Sequence, residues 1–368
     1  MKFGNSPSCA FARYLRRTKK LSSGYCGLQT VDCRLLFRSR FLIAGAFLLL
    51  AGFFLSSSLC AQPTSLTPEE MIQYSPMWKG KRFADGRPKV ADGIIERLKY
   101  CSITEAWQII YGLNDGSGRG FGSYINQYAG EWVRMHDDVT VCGRALTAHF
   151  MPARPDVNFA IEQQGIKDNR SRGGQYTWGI DKLQKGDVYV VNVCEGMLDA
   201  SHVGDNLGTA IFSKSNNGAI IRGTVRDLEG NMKMEGFNLF VSDFRPQWNM
   251  NNMMVGINCP IQIGYVTVMP GDVVLAKRMG VVFVPPHLAE TVADISEETR
   301  LKDTFAHIGV REGRFSAREA DGAFTDAMNK EFTQWLKDHA NDMSKFFDDP
   351  REAPSHTFIE AFIKKREK

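Results

Sequence analysis

The 368-residue chain has no C-x-x-C pair, no G-x-G-x-x-G loop and no uncharged apolar run as long as twenty residues. The first absence argues against a zinc ribbon or a redox dithiol. The second argues against a dinucleotide cradle, since the glycine-rich stretch Asn114–Gly122 follows a helical pattern and has the wrong spacing. The third leaves Phe41–Leu55, fifteen apolar residues, short of the ~20 that a spanning helix needs. No internal repeat is found either.

Basic charge is also scarce once the first sixty residues are set aside. Residues 1–61 hold nine Lys or Arg and one acid, Asp32, so the formal +4 of the whole chain becomes about −4 beyond Ala61. No basic face for nucleic acid remains. A basic stretch, the apolar run and the small residues Ser56–Ser58 before Cys60 and Ala61 read as a secretory signal, cleaved after Ala61. An uncleaved signal anchor is the rival, and the chain's one contact with a membrane would be through that segment. The expectation is an exported, periplasmic or secreted protein. Four of the eight cysteines lie beyond the signal, Cys101, Cys142, Cys194 and Cys259. They sit in apolar segments and read as buried small hydrophobes rather than a disulfide framework.

The pattern beyond the signal divides into an N-terminal helical extension (62–100), an α/β domain (101–286) and a helical C-terminal extension (287–368). Thr67-Pro68-Glu69-Glu70 and Ser102-x-x-Glu105 are helix starts. The aromatic residues of Phe121–Trp132 recur at helical spacing and read as packing of a helix, with ligand stacking as the alternative. From Val139 strands and helices alternate: strands at Val139–Phe150, Gly186–Val193, Ala219–Val225 and Leu239–Ser242, helices near Phe159–Gly165, Asn206–Ser215 and Glu229–Gly236. Short strands follow at Ile261–Ile263, Tyr265–Val268, Val273–Ala276 and Val281–Val284, with Pro270-Gly271-Asp272 as a turn. The fold class is a mixed α/β core with a β-rich end, not a regular doubly wound sheet. Ala323–His339 and Phe358–Lys365 are amphipathic helices of the tail.

Two segments carry candidate chemistry. Val203-Gly204-Asp205-Asn206-Leu207-Gly208 opens a helix after a strand, where free N–H groups favour a carboxylate. Gly223-Thr224-Val225-Arg226-Asp227 ends the next strand, and in such sheets ligands collect at strand carboxyl ends. Arg226 suits a planar carboxylate, and Asp227 suits a hard cation such as Mg²⁺. Taken alone, an Arg-Asp pair after a strand is more often a structural ion pair. His202, in Asp199-x-x-His202-x-x-Asp205, reads as a loop or cap histidine, with a metal role as the alternative. Glu195 and Asp243 are acid/base candidates by proximity alone.

The order and spacing of Gly204-Asp205-Asn206-Leu207, Gly223-Thr224-Val225-Arg226-Asp227, Pro260–Ile263, Pro270-Gly271-Asp272 and Gly280–Pro285 resemble the RraA-like family. That family includes 4-hydroxy-4-methyl-2-oxoglutarate aldolases and the regulator of ribonuclease activity A. The resemblance implies a compact swivelling-type α/β core, a homotrimer or a multiple of it, and sites near subunit boundaries. It implies that Arg226 binds a small 2-oxo acid, that Gly204, Asp205, Asn206 and Leu207 hold its carboxylate, and that Asp227 holds Mg²⁺ or Mn²⁺ with Asp205 reaching the metal through water. Arg226 and Asp205 are then the catalytic candidates of a metal-dependent lyase, an aldolase or oxaloacetate decarboxylase. A non-catalytic anion-binding or regulatory protein is the alternative. Arg222, Lys277-Arg278-Met279 and Asn206 depart from the family's usual residues.

Overall fold

The computed structural model describes residues 65–112, 124–170, 174–194 and 201–367. The signal, the glycine-rich loop, Phe121, Glu195 and Asp199 lie outside the described residues. Three helices come first, α1 (Pro68–Tyr74), α2 (Asp92–Leu98) and α3 (Ile103–Gly112). The Thr67 cap works as its sequence suggests: its hydroxyl accepts from the Glu70 N–H, and the Glu70 carboxylate accepts from the Thr67 N–H.

The two-residue strands β1 (Tyr128–Ala129) and β2 (Val133–Arg134) precede the long strand β3 (Val141–Pro152). Then come α4 (Pro155–Lys167), α5 (Gln175–Asp181), β4 (Asp187–Val193), β5 (Ser201–Val203), α6 (Asp205–Ser215), β6 (Ala219–Val225), α7 (Leu228–Asn231) and β7 (Leu239–Phe244). Strands β8 (Asn252–Ile257), β9 (Ile261–Ile263), β10 (Val266–Val268), β11 (Val273–Lys277) and β12 (Gly280–Val284) form the β-rich end. The tail is α8 (Ala289–Arg311), α9 (Ala317–Asp321), α10 (Asp326–His339) and α11 (His356–Arg366). Among the described residues no helix is long and apolar enough to cross a membrane.

The main sheet runs β1-β12-β11-β3-β4-β6-β7-β2. Its middle, β3-β4-β6-β7, is parallel, while β11, β12 and both ends pair antiparallel. Parallel strands are covered on both faces and so are rich in β-branched residues on both, as β4 and β6 are. Their residues still alternate: Tyr189, Val191, Val193 and Ile221 face the helix-side core, whereas Val188, Val190 and Ile220 face a second core closed by β9 and β10. A third cluster packs α2, α3 and the start of α8 on β11 and β12, and a fourth joins the rest of α8 to α10 and α11.

The sheet is strongly curled. Its outermost strands, β1 and β2, are three residues apart in sequence, and four residue steps span at most ~14 Å. Eight flat strands would separate the same edges by roughly 34 Å. This corrects the helix expected over Phe121–Trp132: its described part, from Tyr124, makes a turn at Ile125–Asn126 and then an extended bridge between the two sheet edges. Glu131 adopts φ 61°, which breaks any helix there. Trp132 is buried in the second core with its Nε1 donating to the Ala129 carbonyl, and Tyr128 Oη donates to the Met279 carbonyl. Strand pairing and burial overrode the helical spacing.

Candidate functional site

The short strand β5 does the essential placing. It pairs in parallel with β6, Ser201 beside Thr224 and Val203 beside Val225, and the Arg226 N–H donates to the Val203 carbonyl at 2.9 Å. The loop after β5 and the loop after β6 therefore emerge side by side at the carboxyl end of the sheet. Gly204 then turns, in extended conformation, into α6, whose N-terminus has no side-chain cap. The Asp205 carboxylate accepts from the Asn206 N–H at 2.8 Å.

Two glycines set how closely these loops approach. The position a Gly204 Cβ would take is already filled by Asp227 Oδ2, with Arg226 Nε 3.0 Å away. A Cβ at Gly230, in α7, would lie 2.6 Å from Asp205 Oδ2. Each carboxylate thus rests on a backbone without a side chain. Asp227 adopts the left-handed conformation, φ 56° and ψ 45°, which Asp tolerates better than most residues. Buried Asn231 braces this turn, its Nδ2 donating to the carbonyls of Arg226 (3.1 Å) and Asp227 (3.0 Å).

A cavity of about 550 Å³ opens above these residues. Gly204, Asp205, Asn206, Leu207 and Arg226 line it, as the two sequence segments required. Asp227 does not line it. Its carboxylate is paired with Arg226 Nε at 3.3 Å, with both side chains 38% exposed. Arg226 is thus tied to Asp227 through its Nε and also lines the cavity.

The far wall was not legible in the sequence. Tyr176 and Thr177 come from α5, and Trp248 and Asn249 from the loop before β8. Trp248 is 65% exposed within an otherwise polar stretch, the one local signal that marked it. His202 also borders the cavity, and here the sequence reading is corrected: it is neither a loop residue nor a cap. It lies in β5, is 1% exposed, and packs edge-on to Phe150 at 4.5 Å. Burial pushes its imidazole down to about 3, so it is neutral. Asp243 is a surface residue bound to Arg245 Nε at 2.9 Å.

Among the described residues no group of three or more His, Cys, Asp or Glu is gathered to hold a metal ion. Mg²⁺ asks less than that: one or two carboxylates, with water and substrate completing the shell. Asp205 and Asp227, each set over a glycine on the adjoining first turns of α6 and α7, fit that hard-oxygen chemistry. The four described cysteines do not contribute. All four are free thiols; burial raises Cys101 and Cys142 to about 12 and Cys194 and Cys259 to about 11.

A family model, RraA-like (Aldolase/RraA), matches residues 101–283. Protein DlpA of Legionella pneumophila is 27% identical over 125 residues, which is 34% of this chain. The match spans a fifth of DlpA's own length, 20%. Among solved structures, Streptomyces coelicolor RraAS2, an unusual member of the RNase ES inhibitor RraA protein family, shares 20% identity with a TM-score of 0.48, covering 60% of this chain and 99% of that one. An uncharacterized protein from Pseudomonas syringae shares 17% identity with a TM-score of 0.48, covering 61% and 91% respectively.

Proposed function

Residues 101–283 form an RraA-like domain, and from that premise we propose that the chain is a divalent-metal-dependent lyase acting on a 2-oxo or 4-hydroxy-2-oxo acid. One observation carries the reading: an uncapped helix N-terminus and an exposed guanidinium face a single cavity. Both favour an anion, and together they distinguish one end of a small dicarboxylate from the other.

In this reading the backbone N–H groups of Gly204, Asp205 and Leu207 bind the substrate carboxylate, the Asn206 N–H being held by Asp205. Arg226 lies beside the 2-oxo group. Cleavage breaks the bond between C3 and C4, and its electron pair moves to the C2 oxygen, giving the enolate of pyruvate. The C4 hydroxyl proton leaves to a base as C4 becomes a carbonyl, and protonation at C3 completes pyruvate. Arg226 stabilises the negative charge that develops on the C2 oxygen. Asp227 would hold Mg²⁺ or Mn²⁺, with Asp205 alongside, and such an ion supplies Lewis acidity at the same oxygen. Oxaloacetate decarboxylation passes through the same enolate and is the natural second activity.

The test is pyruvate release from oxaloacetate and from 4-hydroxy-4-methyl-2-oxoglutarate. Release should need Mg²⁺ or Mn²⁺, stop with EDTA, and fall at least a hundredfold in Asp227→Ala. The Arg226–Asp227 ion pair favours a second reading, a non-catalytic anion-binding protein. Oxalate or pyruvate binding without turnover would select it.

Two further parts of the proposal concern the chain's setting. The exposed apolar residues Phe159, Ile166, Met151 and Trp248 support assembly into a trimer or a multiple of it, which light scattering measures. Residues 1–61 are read as an export signal, so the N-terminus of the exported protein should be Gln62.

A further inference from the structure

His202 is the unusual residue of this cavity. Strand β5 places it among aromatic rings, with Phe150 edge-on at 4.5 Å and Tyr189 stacked at 6.2 Å. Both ring nitrogens are buried, and neither has a hydrogen-bond partner among the described residues. Buried polar atoms are rarely left so, and such a group is a candidate for contact with something that enters. His202 belongs to the wall of the same cavity as Gly204 and Arg226.

Its environment restricts what it can hold. Among the described residues no carboxylate pairs with it, and an aromatic slot disfavours the imidazolium. The anionic ends of a ligand have better partners in Arg226 and the α6 N-terminus. A neutral imidazole presents an N–H or a lone pair according to tautomer. The matching group is a neutral one that can both give and accept a hydrogen bond, which is a hydroxyl.

We propose that His202 determines specificity in this cavity by hydrogen-bonding the C4 hydroxyl of a 4-hydroxy-2-oxo acid. The inference rests on the lyase reading and names the substrate class within it. A site built around a buried polar group discriminates strongly against a substrate that lacks the complementary hydroxyl, because the group is then left unpaired. His202 therefore favours the aldol substrate over oxaloacetate.

The experiment compares both substrates in the full chain with Mg²⁺. His202→Phe keeps an aromatic ring in the slot and removes both nitrogens. It should lower kcat/KM for 4-hydroxy-4-methyl-2-oxoglutarate at least tenfold and leave oxaloacetate within threefold. His202→Gln, which restores a donor and an acceptor, should recover part of the loss. Equal loss on both substrates, or no loss on either, overturns the assignment. If the wild type turns over neither substrate, the lyase reading fails, and His202 is judged by binding alone. Its ring ¹⁵N resonances should then shift with the 4-hydroxy acid and stay in place with pyruvate; no shift, or the same shift with both, overturns it.

Discussion

Two arginine–aspartate pairs lie at different places in the fold and serve different ends. Arg87 and Asp187 are wholly buried and joined by two hydrogen bonds of 3.1 Å, and Arg87 also binds Asp85 at 2.8 Å and the Ala145 carbonyl. Every part of that guanidinium is engaged, so the pair straps the N-terminal segment across the start of β4. Arg226 and Asp227 share one 3.3 Å contact at the cavity, both 38% exposed. The same two residue types make a structural tie in one place and a half-exposed pair beside a cavity in the other. What separates them is water: a buried charge must find all its partners within the protein, whereas a half-exposed one can keep a face free for an anion.

The comparison makes predictions of decreasing size. Arg87→Ala strands Asp187 in the interior and should destabilise the fold by about 3–5 kcal/mol, measured by urea denaturation. A loss below about 1 kcal/mol would erase the distinction between the two pairs. Gly204→Ala drives a methyl into the Asp227 carboxylate and toward Arg226. It should weaken oxalate binding at least tenfold, read by calorimetry, while the fold survives.

The third prediction concerns pH. His202 has its folded value lowered to about 3, so the unfolded chain takes up a proton near pH 6.5 that the folded chain refuses. Its contribution to stability is present above pH 6.5 and is lost as pH falls toward 3. Asp272 opposes it. Burial raises this carboxyl to about 7, so its contribution is present below pH 4 and is lost as pH rises through 7. His202→Phe should therefore flatten the acid limb of the Tm-against-pH curve, and Asp272→Asn the limb between pH 4 and 7. The smallest effect is on stability at the open pair: Asp227→Ala should change it by no more than about 1 kcal/mol, although it removes the carboxylate proposed to hold the metal.

Much of the architecture was readable because it follows from short-range rules. The runs Ala219–Val225 and Ile261–Ile263 form strands with the bounds their composition suggests, and Gly186–Val193 does so from Asp187. The convergence of Gly204–Leu207 with Arg226 was readable through the resemblance. Other features were hidden. Strands β5 and β8 have mixed composition, and β5 exists because β6 offers it a parallel partner. The extended bridge at Tyr128–Arg134 is set by two distant sheet edges, which aromatic spacing cannot report.

Alternation of apolar residues, caps and turn residues determined by themselves a mixed α/β core with a helical tail, because those signals act within a few residues. The sequence likewise contained the anion-binding residue types. The tertiary structure alone decided that Asp227 stands beside the cavity wall rather than in it, that Trp248 and Tyr176 complete that wall, and that His202 is enclosed between aromatic rings. Burial and proximity arise from contacts between residues far apart in the chain, and no local pattern encodes them.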